Sequence, residues 1–207
     1  MAEDRTAADI DPQSGCRLPL PHRDELPPEA QSVWDSLADP QGGTLRGLRG
    51  PGGIGLHSPE LARHSRPLNR YLRYDSGLGG RVRELAILAT ARAVDSRFEW
   101  AAHEEEARRE GIAPDIIETV RHRRSTTGLA EADAVVIDLA REIFTARKVS
   151  SETFARALRQ FGRRPLVDLV ALMGNYASTA ALLTAFDMQL DPGQPPPWPV
   201  EKPDAAF

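Results

Sequence analysis

The stretch GRVRELAILATARAVDS, residues 80–96, contains an uncharged run from Leu85 to Ala91, with Glu84 before it and Arg92 after it. A helix over these residues is apolar nearly all round, and a helix of that kind is buried in the centre of a core. The stretch therefore predicts a central helix against which the rest of the chain packs. Glu84, at the charged edge of the run, is a candidate functional carboxylate.

Helices are predicted on both sides of this stretch from capping residues and from apolar spacings of three and four. Ser58 is a suitable N-cap and Pro59 fits the first helical position, so a helix is expected over roughly 59–74 with a kink before Pro67. Ser96 begins another helix, which Gly111 ends as a C′ residue. Further helices are expected over residues 28–38 and roughly 165–187, and others should begin at Pro114 and after Ser151. A stripe of Val135, Leu139 and Ile143 predicts one more helix.

The organisation of the chain follows from these patterns. No stretch has the alternation or the β-branched run of a strand, so the fold class is predicted to be all-α, with one helical domain over residues 26–190. Residues 1–25 lack periodicity and are expected to form a loose arm. The proline-rich tail, 191–207, is expected to run as an extended strap over the surface or over a neighbouring subunit. The glycine-rich segment 40–56 is expected to pack over the core without regular structure, with phosphate binding as the alternative.

Composition and charge exclude several classes of function. A net charge of -4 argues against a general nucleic-acid binder, because phosphate binding requires a concentrated basic surface. The basic run RHRR at 121–124 is expected to be a solvated helix end. No apolar run is expected to approach the roughly 18 residues of a membrane span, and the N-terminal residues lack the pattern of a secretory signal. We therefore expect no membrane association and a cytoplasmic protein.

Cysteine usage limits the redox chemistry. Cys16 is the only cysteine of the 207 residues, so the chain forms neither an internal disulfide nor a CxxC pair. Peroxide reduction by two thiols is therefore excluded. No function is assigned to Cys16.

A candidate acid/base pair lies in the stretch SRFEWAAHEEEARREG, residues 96–111, where Glu99 and His103 are four positions apart. Residues with this spacing share one face of a helix, so the carboxylate and the imidazole can meet or converge on one ligand. The alternative is structural. Ser96 and Glu99 form the S-x-x-E pattern of a capping box, which would leave His103 an ordinary side chain.

Three motifs then resemble one superfamily. The stretches GPGGIGLHSPELAR (50–63), RVRELAILATAR (81–92) and FEWAAHEEEARREGI (98–112) resemble the carboxymuconolactone decarboxylase and alkylhydroperoxidase D superfamily, over roughly residues 25–190. In the peroxidase branch of that superfamily, a glutamate precedes a CxxC pair and a histidine. Here the glutamate falls on Glu84, the two cysteines on Ser96 and Glu99, and the histidine on His103. The resemblance thus implies the site of that family without its redox sulfurs.

The resemblance implies an alkylhydroperoxidase D-like helical bundle that forms homo-oligomers (trimers, hexamers or dimers), with the site near a subunit boundary. It implies a lyase- or isomerase-like enzyme without a cofactor, acting on a small organic acid or lactone by decarboxylation, proton-transfer isomerisation or lactone conversion. Glu99 is predicted to be the acid or base nearest the substrate, His103 its proton partner and Glu84 the relay or orienting group. The decarboxylase proper differs around its histidine and lacks the EW element, so its substrate is not carried over.

Burial is expected to raise the pKa values of both carboxyl groups toward neutrality, where proton transfer is efficient. His57, Trp100 and Tyr176 are predicted to line the substrate pocket, each with ordinary core packing as the alternative. Two other functions stay open. One is a metal-dependent enzyme using Glu84, Glu99 and His103, although the usual facial triad has two histidines and one carboxylate. The other is a non-catalytic oligomeric protein that binds a small organic acid or a partner helix.

Overall fold

The computed structural model describes residues 9–41 and 45–199, and within these ranges it contains nine α-helices and no strand. The predicted all-α fold is confirmed. The helices are α1 (Pro28–Ala38), α2 (Pro51–Gly55), α3 (Pro59–Arg70), α4 (Gly80–Ala93), α5 (Arg97–Arg109), α6 (Pro114–Arg121), α7 (Glu131–Arg141), α8 (Ser151–Phe161) and α9 (Arg163–Ala185). Two π-helical segments, Tyr71–Asp75 and Glu142–Ala146, continue α3 and α7.

Helix α4 is the central element, as its apolar run predicts. It contacts α5, α6, α7 and α9, and every residue from Glu84 to Ala91 is buried. Each large apolar side chain buried in this way contributes about 1.5–3 kcal/mol relative to an exposed one. The burial includes Glu84, which is only 1% exposed. The central helix thus carries a carboxyl group into the core.

Helices α4 and α5 form a hairpin that determines where the site lies. Only residues 94–96 separate the two helices, and Asp95 makes the turn with a φ of 55°. Gly111 ends α5 with a φ of 79°, while the N–H of Ile112 donates to the carbonyl of Ala107 at 3.0 Å, as in a Schellman motif. Because α5 folds back along α4, residues on either side of the turn face each other.

Helix α9 covers the hairpin and contacts α2, α4, α5 and α8. It is also the one helix in the described part of the chain that is long and apolar enough to cross a membrane. The expectation that no segment approaches a membrane span is therefore wrong for this helix by length and composition. Its buried face packs in the core, and 44% of its most apolar window is buried. Core packing therefore accounts for part of that hydropathy.

The arm predicted to be loose is attached from residue 9 onward, whereas residues 1–8 lie outside the described ranges. The N–H of Arg17 donates to the carbonyl of Phe186, and the N–H of Gln189 donates to the carbonyl of Gly15, both at 2.8 Å. Cys16 is 1% exposed in a cluster with Phe98. Hydrogen bonds to a distant segment leave no periodicity in the sequence, and for this reason the arm looked unstructured.

The glycine-rich segment contains regular structure that the sequence did not predict. Residues 51–55 form the short helix α2, although residues 42–44 lie outside the described ranges. A Cβ at Gly53 would lie 2.0 Å from the carbonyl oxygen of Leu48, so only glycine fits there. Gly50 has a φ of 97°, which disfavours a side chain. These glycines therefore allow the loop to pack closely.

Candidate acid/base site

Glu84 is a buried carboxyl group with a partner for each oxygen. Nδ1 of His103 donates to its Oε2 at 2.7 Å, and Nε of Arg83 donates to its Oε1 at 2.9 Å. Burial alone raises the pKa of Glu84, but the hydrogen bond and charge of His103, together with those of Arg83, outweigh it and hold that pKa below its usual range. The expectation of a raised pKa is wrong for Glu84, because its charged form is fully paired.

His103 takes its orientation from this carboxylate. An ionised carboxyl group only accepts hydrogen bonds, so Nδ1 of His103 carries the proton. In the neutral ring, Nε2 is then left as an acceptor. It lies 3.6 Å from Oε2 of Glu99, one helical turn earlier on α5. The predicted convergence of Glu84, Glu99 and His103 is present in the structure.

Glu99, unlike Glu84, is buried without hydrogen-bond partners for its carboxyl group. It is 4% exposed, and its carboxyl group makes no hydrogen bond within the described part of the chain. Burial raises the pKa of Glu99 and outweighs the opposing effects of His103, Arg73 and Arg46. Glu99 therefore keeps its proton to a higher pH than Glu84 does, and opposite pKa shifts of this kind assign different roles to two carboxyl groups. The environment of Glu84 favours its ionised form, whereas that of Glu99 favours its protonated form.

The capping-box alternative is not what the structure shows. Ser96 does occupy the N-cap position of α5, but its side chain makes no capping hydrogen bond. The side chain of Glu99 is turned into the core beside His103 instead of back toward the helix end. The S-x-x-E pattern therefore marks the start of the helix without accounting for the position of Glu99.

Tyr176 of α9 adds a third helix to the site. Its ring meets the ring of His103 edge to face, with 5.1 Å between the ring centres, and Tyr176 is 6% exposed. Burial raises the pKa of its phenol, so the hydroxyl stays protonated. Among the described residues this hydroxyl has no hydrogen-bond partner. It is thus a free donor next to the imidazole.

Two arginines complete the site, and the sequence reading missed both. Arg83, which donates to Glu84, also donates to the backbone carbonyl of Arg73 at 3.0 Å. The Nε of Arg73 is buried and has no hydrogen-bond partner in the described ranges, and its guanidinium lies 5.0 Å from the ring centre of Tyr74. The charge of Arg73 partly opposes the rise that burial causes in the pKa of Glu99.

The adjacency of Arg83 to Glu84 in the sequence was an available signal for Arg83. For Arg73 there was none, because its position depends on the π-helical segment Tyr71–Asp75. Such segments are frequent at functional sites.

His57 is not part of this site, contrary to the prediction. It is an exposed residue, and its Nε2 lies 2.9 Å from the carbonyl oxygen of Pro19. The turn that ends α2 directs His57 toward the N-terminal arm. That arm was expected to be loose, so the sequence gave no signal for the contact between His57 and Pro19.

Trp100 is also outside the site. Its indole N–H donates to Glu104 at 2.8 Å, and its ring packs edge to face on Trp198 of the C-terminal tail at 5.4 Å. At roughly 3.6 residues per turn, neighbours on a helix point about 100° apart, so Trp100 faces away from Glu99. Trp100 is a fully buried packing residue.

The donor atoms do not suit a metal ion. Within residues 9–41 and 45–199, no group of three or more histidine, cysteine or carboxylate side chains is arranged to hold one. Glu84 and His103 direct their donor atoms at each other instead of at a common point. The metal-dependent alternative therefore has no support from the geometry.

Comparison with known proteins agrees with the motifs. The model described as "Carboxymuconolactone decarboxylase family" matches residues 59–142, which include Glu84, Glu99 and His103 and exclude Tyr176. No curated protein matches the chain. The resemblance read from the motifs is thus confirmed over the matched residues. Residues 59–142 are thus similar to the carboxymuconolactone decarboxylase family, and this match supports the resemblance to that superfamily.

Proposed function

We propose that this protein is a carboxymuconolactone decarboxylase-like enzyme that performs acid/base chemistry on a small organic acid or lactone, without redox thiols. The observation that carries the proposal is the buried series Glu84, His103 and Glu99, joined by distances of 2.7 Å and 3.6 Å. The pKa of Glu84 is lowered and the pKa of Glu99 is raised. Opposite shifts of this kind separate an orienting carboxylate from a reacting acid.

Each of the three residues has a distinct role in this proposal. Glu84 is a positioning residue, because both its oxygens are occupied and it fixes the ring of His103. Glu99 is the reacting acid, because its carboxyl group has no other partner in the described chain. His103 exchanges protons with Glu99 through Nε2 and returns Glu99 to its starting state after each turnover.

The same groups support decarboxylation and isomerisation. In decarboxylation, the bond to the carboxylate carbon breaks, carbon dioxide leaves, and the electron pair stays on the substrate as an enolate. Glu99 then protonates the substrate carbon, and His103 delivers a replacement proton from solvent to Glu99. In isomerisation, the ionised form of Glu99 removes a proton from an activated carbon and returns it to another position. Both reactions need a donor for the developing oxyanion, which the hydroxyl of Tyr176 supplies.

An acidic substrate is favoured by the charge of Arg73. This arginine makes no ion pair within the described chain, and its Nε is buried. A buried N–H group without an acceptor is unfavourable, and a substrate carboxylate would supply both the missing acceptor and an opposite charge. Arg73 is therefore proposed to bind the carboxylate of the substrate beside Glu99.

The burial of the three site residues limits how a substrate can reach them. Glu84, Glu99 and His103 are only 1%, 4% and 3% exposed. Neighbouring side chains must therefore move before a substrate reaches Glu99, and the exposed Tyr74, whose ring contacts Arg73, is the proposed point of entry.

The homo-oligomer implied by the family resemblance stays a prediction. Light scattering on the purified chain tests it.

The experiment is a turnover screen of lactones and β-keto acids with the wild-type chain and the Glu99→Gln variant. We expect the wild type to convert at least one class and the variant to lose turnover while keeping its fold, because glutamine is isosteric with a protonated glutamate. A parallel assay with a chelator distinguishes acid/base chemistry from the metal-dependent alternative. A metal-dependent enzyme would lose activity with the chelator and regain it when a divalent ion is added. Saturable binding without turnover of any compound would contradict the proposal and support a ligand-binding protein.

A further inference from the structure

Arg83 of α4 contacts both the acid/base series and the π-helical segment Tyr71–Asp75. Its Nε donates to Oε1 of Glu84 at 2.9 Å, and its Nη1 donates to the backbone carbonyl of Arg73 at 3.0 Å. Its Nη2 donates to Glu110 at 3.0 Å, so all three nitrogens of the guanidinium are engaged. The side chain is 13% exposed, which largely shields these contacts from water. One side chain thus joins the positioning carboxylate to the backbone of the proposed substrate-binding residue.

The carbonyl of Arg73 is one that its helix leaves without a partner. The last carbonyls of a helix have no N–H to accept from within it. Those of Tyr71 and Leu72 accept from the backbone and the hydroxyl of Ser76, which follows the segment. In the described part of the chain, the carbonyl of Arg73 has no partner besides Arg83. A cation at the C-terminal end of a helix is also favourable, so Arg83 attaches this end of the segment to α4.

The two halves of the π-helical segment are held differently. In the first half, Leu72 is 1% exposed in the core, and the hydroxyl of Tyr71 donates to a carboxylate of α9 at 3.2 Å. In the second half, Tyr74 is 59% exposed, and its ring centre lies 5.7 Å from the guanidinium of Arg83. The hydrogen bond from Arg83 is therefore well placed to control the position of Arg73 and Tyr74.

The other side of the same guanidinium fixes Glu84. Because Oε1 of Glu84 accepts from Arg83, its Oε2 is left to accept from Nδ1 of His103. Burial raises the pKa of Glu84, and His103 and Arg83 together outweigh that effect. Glu99 of α5 and Tyr176 of α9 also interact electrostatically with Glu84, but neither is a cation. Arg83 thus supplies a permanent positive charge beside this carboxylate.

We propose that Arg83 is a positioning residue that couples substrate binding to proton transfer. It holds the carboxylate of Glu84 against His103, and it holds the backbone of Arg73 where the side chain can meet a substrate carboxylate. A planar guanidinium presents its donors in fixed directions, so a displacement at one contact is transmitted to the other. The inference rests on the proposed function, in which Arg73 binds the substrate and Glu84 orients the proton relay.

The first test uses the free protein and needs no substrate. In Arg83→Gln, the amides of residues 73–76 are expected to exchange hydrogen at least about fivefold faster, the equivalent of one lost hydrogen bond. The carbon-13 signal of the Glu84 carboxyl group is expected to be more protonated than in the wild type, at the lowest pH where both proteins are folded.

Arg81→Gln is the matched control for this test. Arg81 lies on the same helix and pairs with the buried Asp133, so the variant also loses one positive charge and one ion pair. Both readouts should match the wild type in Arg81→Gln. Unchanged exchange at residues 73–76 in Arg83→Gln, or an unchanged Glu84 signal, would overturn the proposal whatever the activity.

Arg83→Lys separates the charge from the bridge. One ammonium group cannot occupy the positions of both Nε and Nη1, so fast exchange at residues 73–76 is expected to persist while Glu84 stays ionised as in the wild type. A lysine variant with wild-type exchange would show that charge alone matters, which would overturn the bridging role. If Arg83→Gln does not fold, Arg83→Lys decides.

The kinetic test distinguishes coupling from damage to one partner. For an acid that the wild type converts, Arg83→Gln is expected to lower kcat about 10- to 100-fold and to raise KM about fivefold, because the reacting and the binding groups are both displaced. For a neutral lactone, only kcat should fall. A fall in kcat alone for the acid would overturn the coupling and leave the proposed function intact. A wild type without turnover would contradict the proposed function, and this inference with it, even where both NMR readouts change.

Discussion

Nδ1 of His103 lies 2.7 Å from Oε2 of Glu84, a residue 19 positions earlier on the neighbouring helix. This contact exists because the uncharged run of α4 belongs in the core and the turn at Asp95 folds α5 back along it. The hydrogen bond fixes the ring so that its second nitrogen faces Glu99. One local hairpin thus produces an oriented imidazole between two carboxyl groups.

Glu84→Gln is expected to lower both stability and turnover. The variant leaves buried donors of His103 and Arg83 without a charged acceptor, which should reduce the free energy of unfolding by about 1–3 kcal/mol. Turnover should fall by roughly 10²–10⁴-fold, because His103 is no longer held for proton transfer. Denaturant unfolding and steady-state kinetics measure the two effects. Glu110→Gln, which removes the more exposed acidic partner of Arg83, is the control and should change stability by under about 0.5 kcal/mol.

Glu99→Gln is expected to change how stability depends on pH. The pKa of Glu99 is raised in the folded chain. The stability that its protonated form contributes is therefore fully present below the ordinary pKa of 4.5 and is lost as the pH rises through the raised pKa. Glutamine does not titrate. The variant should therefore gain stability relative to the wild type as the pH increases from 4 to 9. Unfolding curves with an unchanging difference across this range would show that Glu99 titrates normally.

Arg73→Gln is expected to weaken the binding of acidic substrates selectively. For an acid that the wild type converts, KM should rise at least about tenfold, with a smaller change in kcat, because the lost ion pair is present in both bound states. A neutral lactone should show a much smaller change in KM. Arg63→Gln, at an exposed residue paired with Glu60, is the matched control. Equal effects on acid and lactone would remove Arg73 from substrate recognition.

Trp198→Ala is expected to destabilise the fold without affecting the acid/base groups directly. Trp198 is 6% exposed, packs on Trp100, and lies under the guanidinium of Arg92 at 4.5 Å. Removing a buried aromatic side chain costs about 3–5 kcal/mol, and the partial exposure places this site at the lower end. Differential scanning calorimetry should show a lower Tm. An unchanged Tm would mean that the tail is not part of the core.

The parts of the fold that could be predicted from sequence are those with local signals. The run Leu85–Ala91 predicted the central helix, Ser96 and Gly111 marked the ends of α5, and the i, i+4 spacing predicted that Glu99 and His103 share a face. Glu84 could be related to His103 only through the motif resemblance. The family match now covers both residues.

The features that were missed depend on contacts between distant segments. Cys16 is buried by α9, and His57 meets the carbonyl of Pro19, although neither segment has a periodic pattern. Trp100 was expected to line the substrate pocket, but its ring packs on Trp198 in the tail. Arg73 reaches the site through a π-helical segment, for which the sequence carries no signal.

The most direct test of the central claim is carbon-13 NMR of the side-chain carboxyl groups at pH 7, in protein labelled at glutamate. The signals of Glu84 and Glu99 are assigned from their loss in Glu84→Gln and Glu99→Gln. We predict an ionised chemical shift for Glu84, whose pKa is lowered, and a protonated one for Glu99, whose pKa burial raises. Two ionised signals would contradict the assignment of Glu99 as the reacting acid.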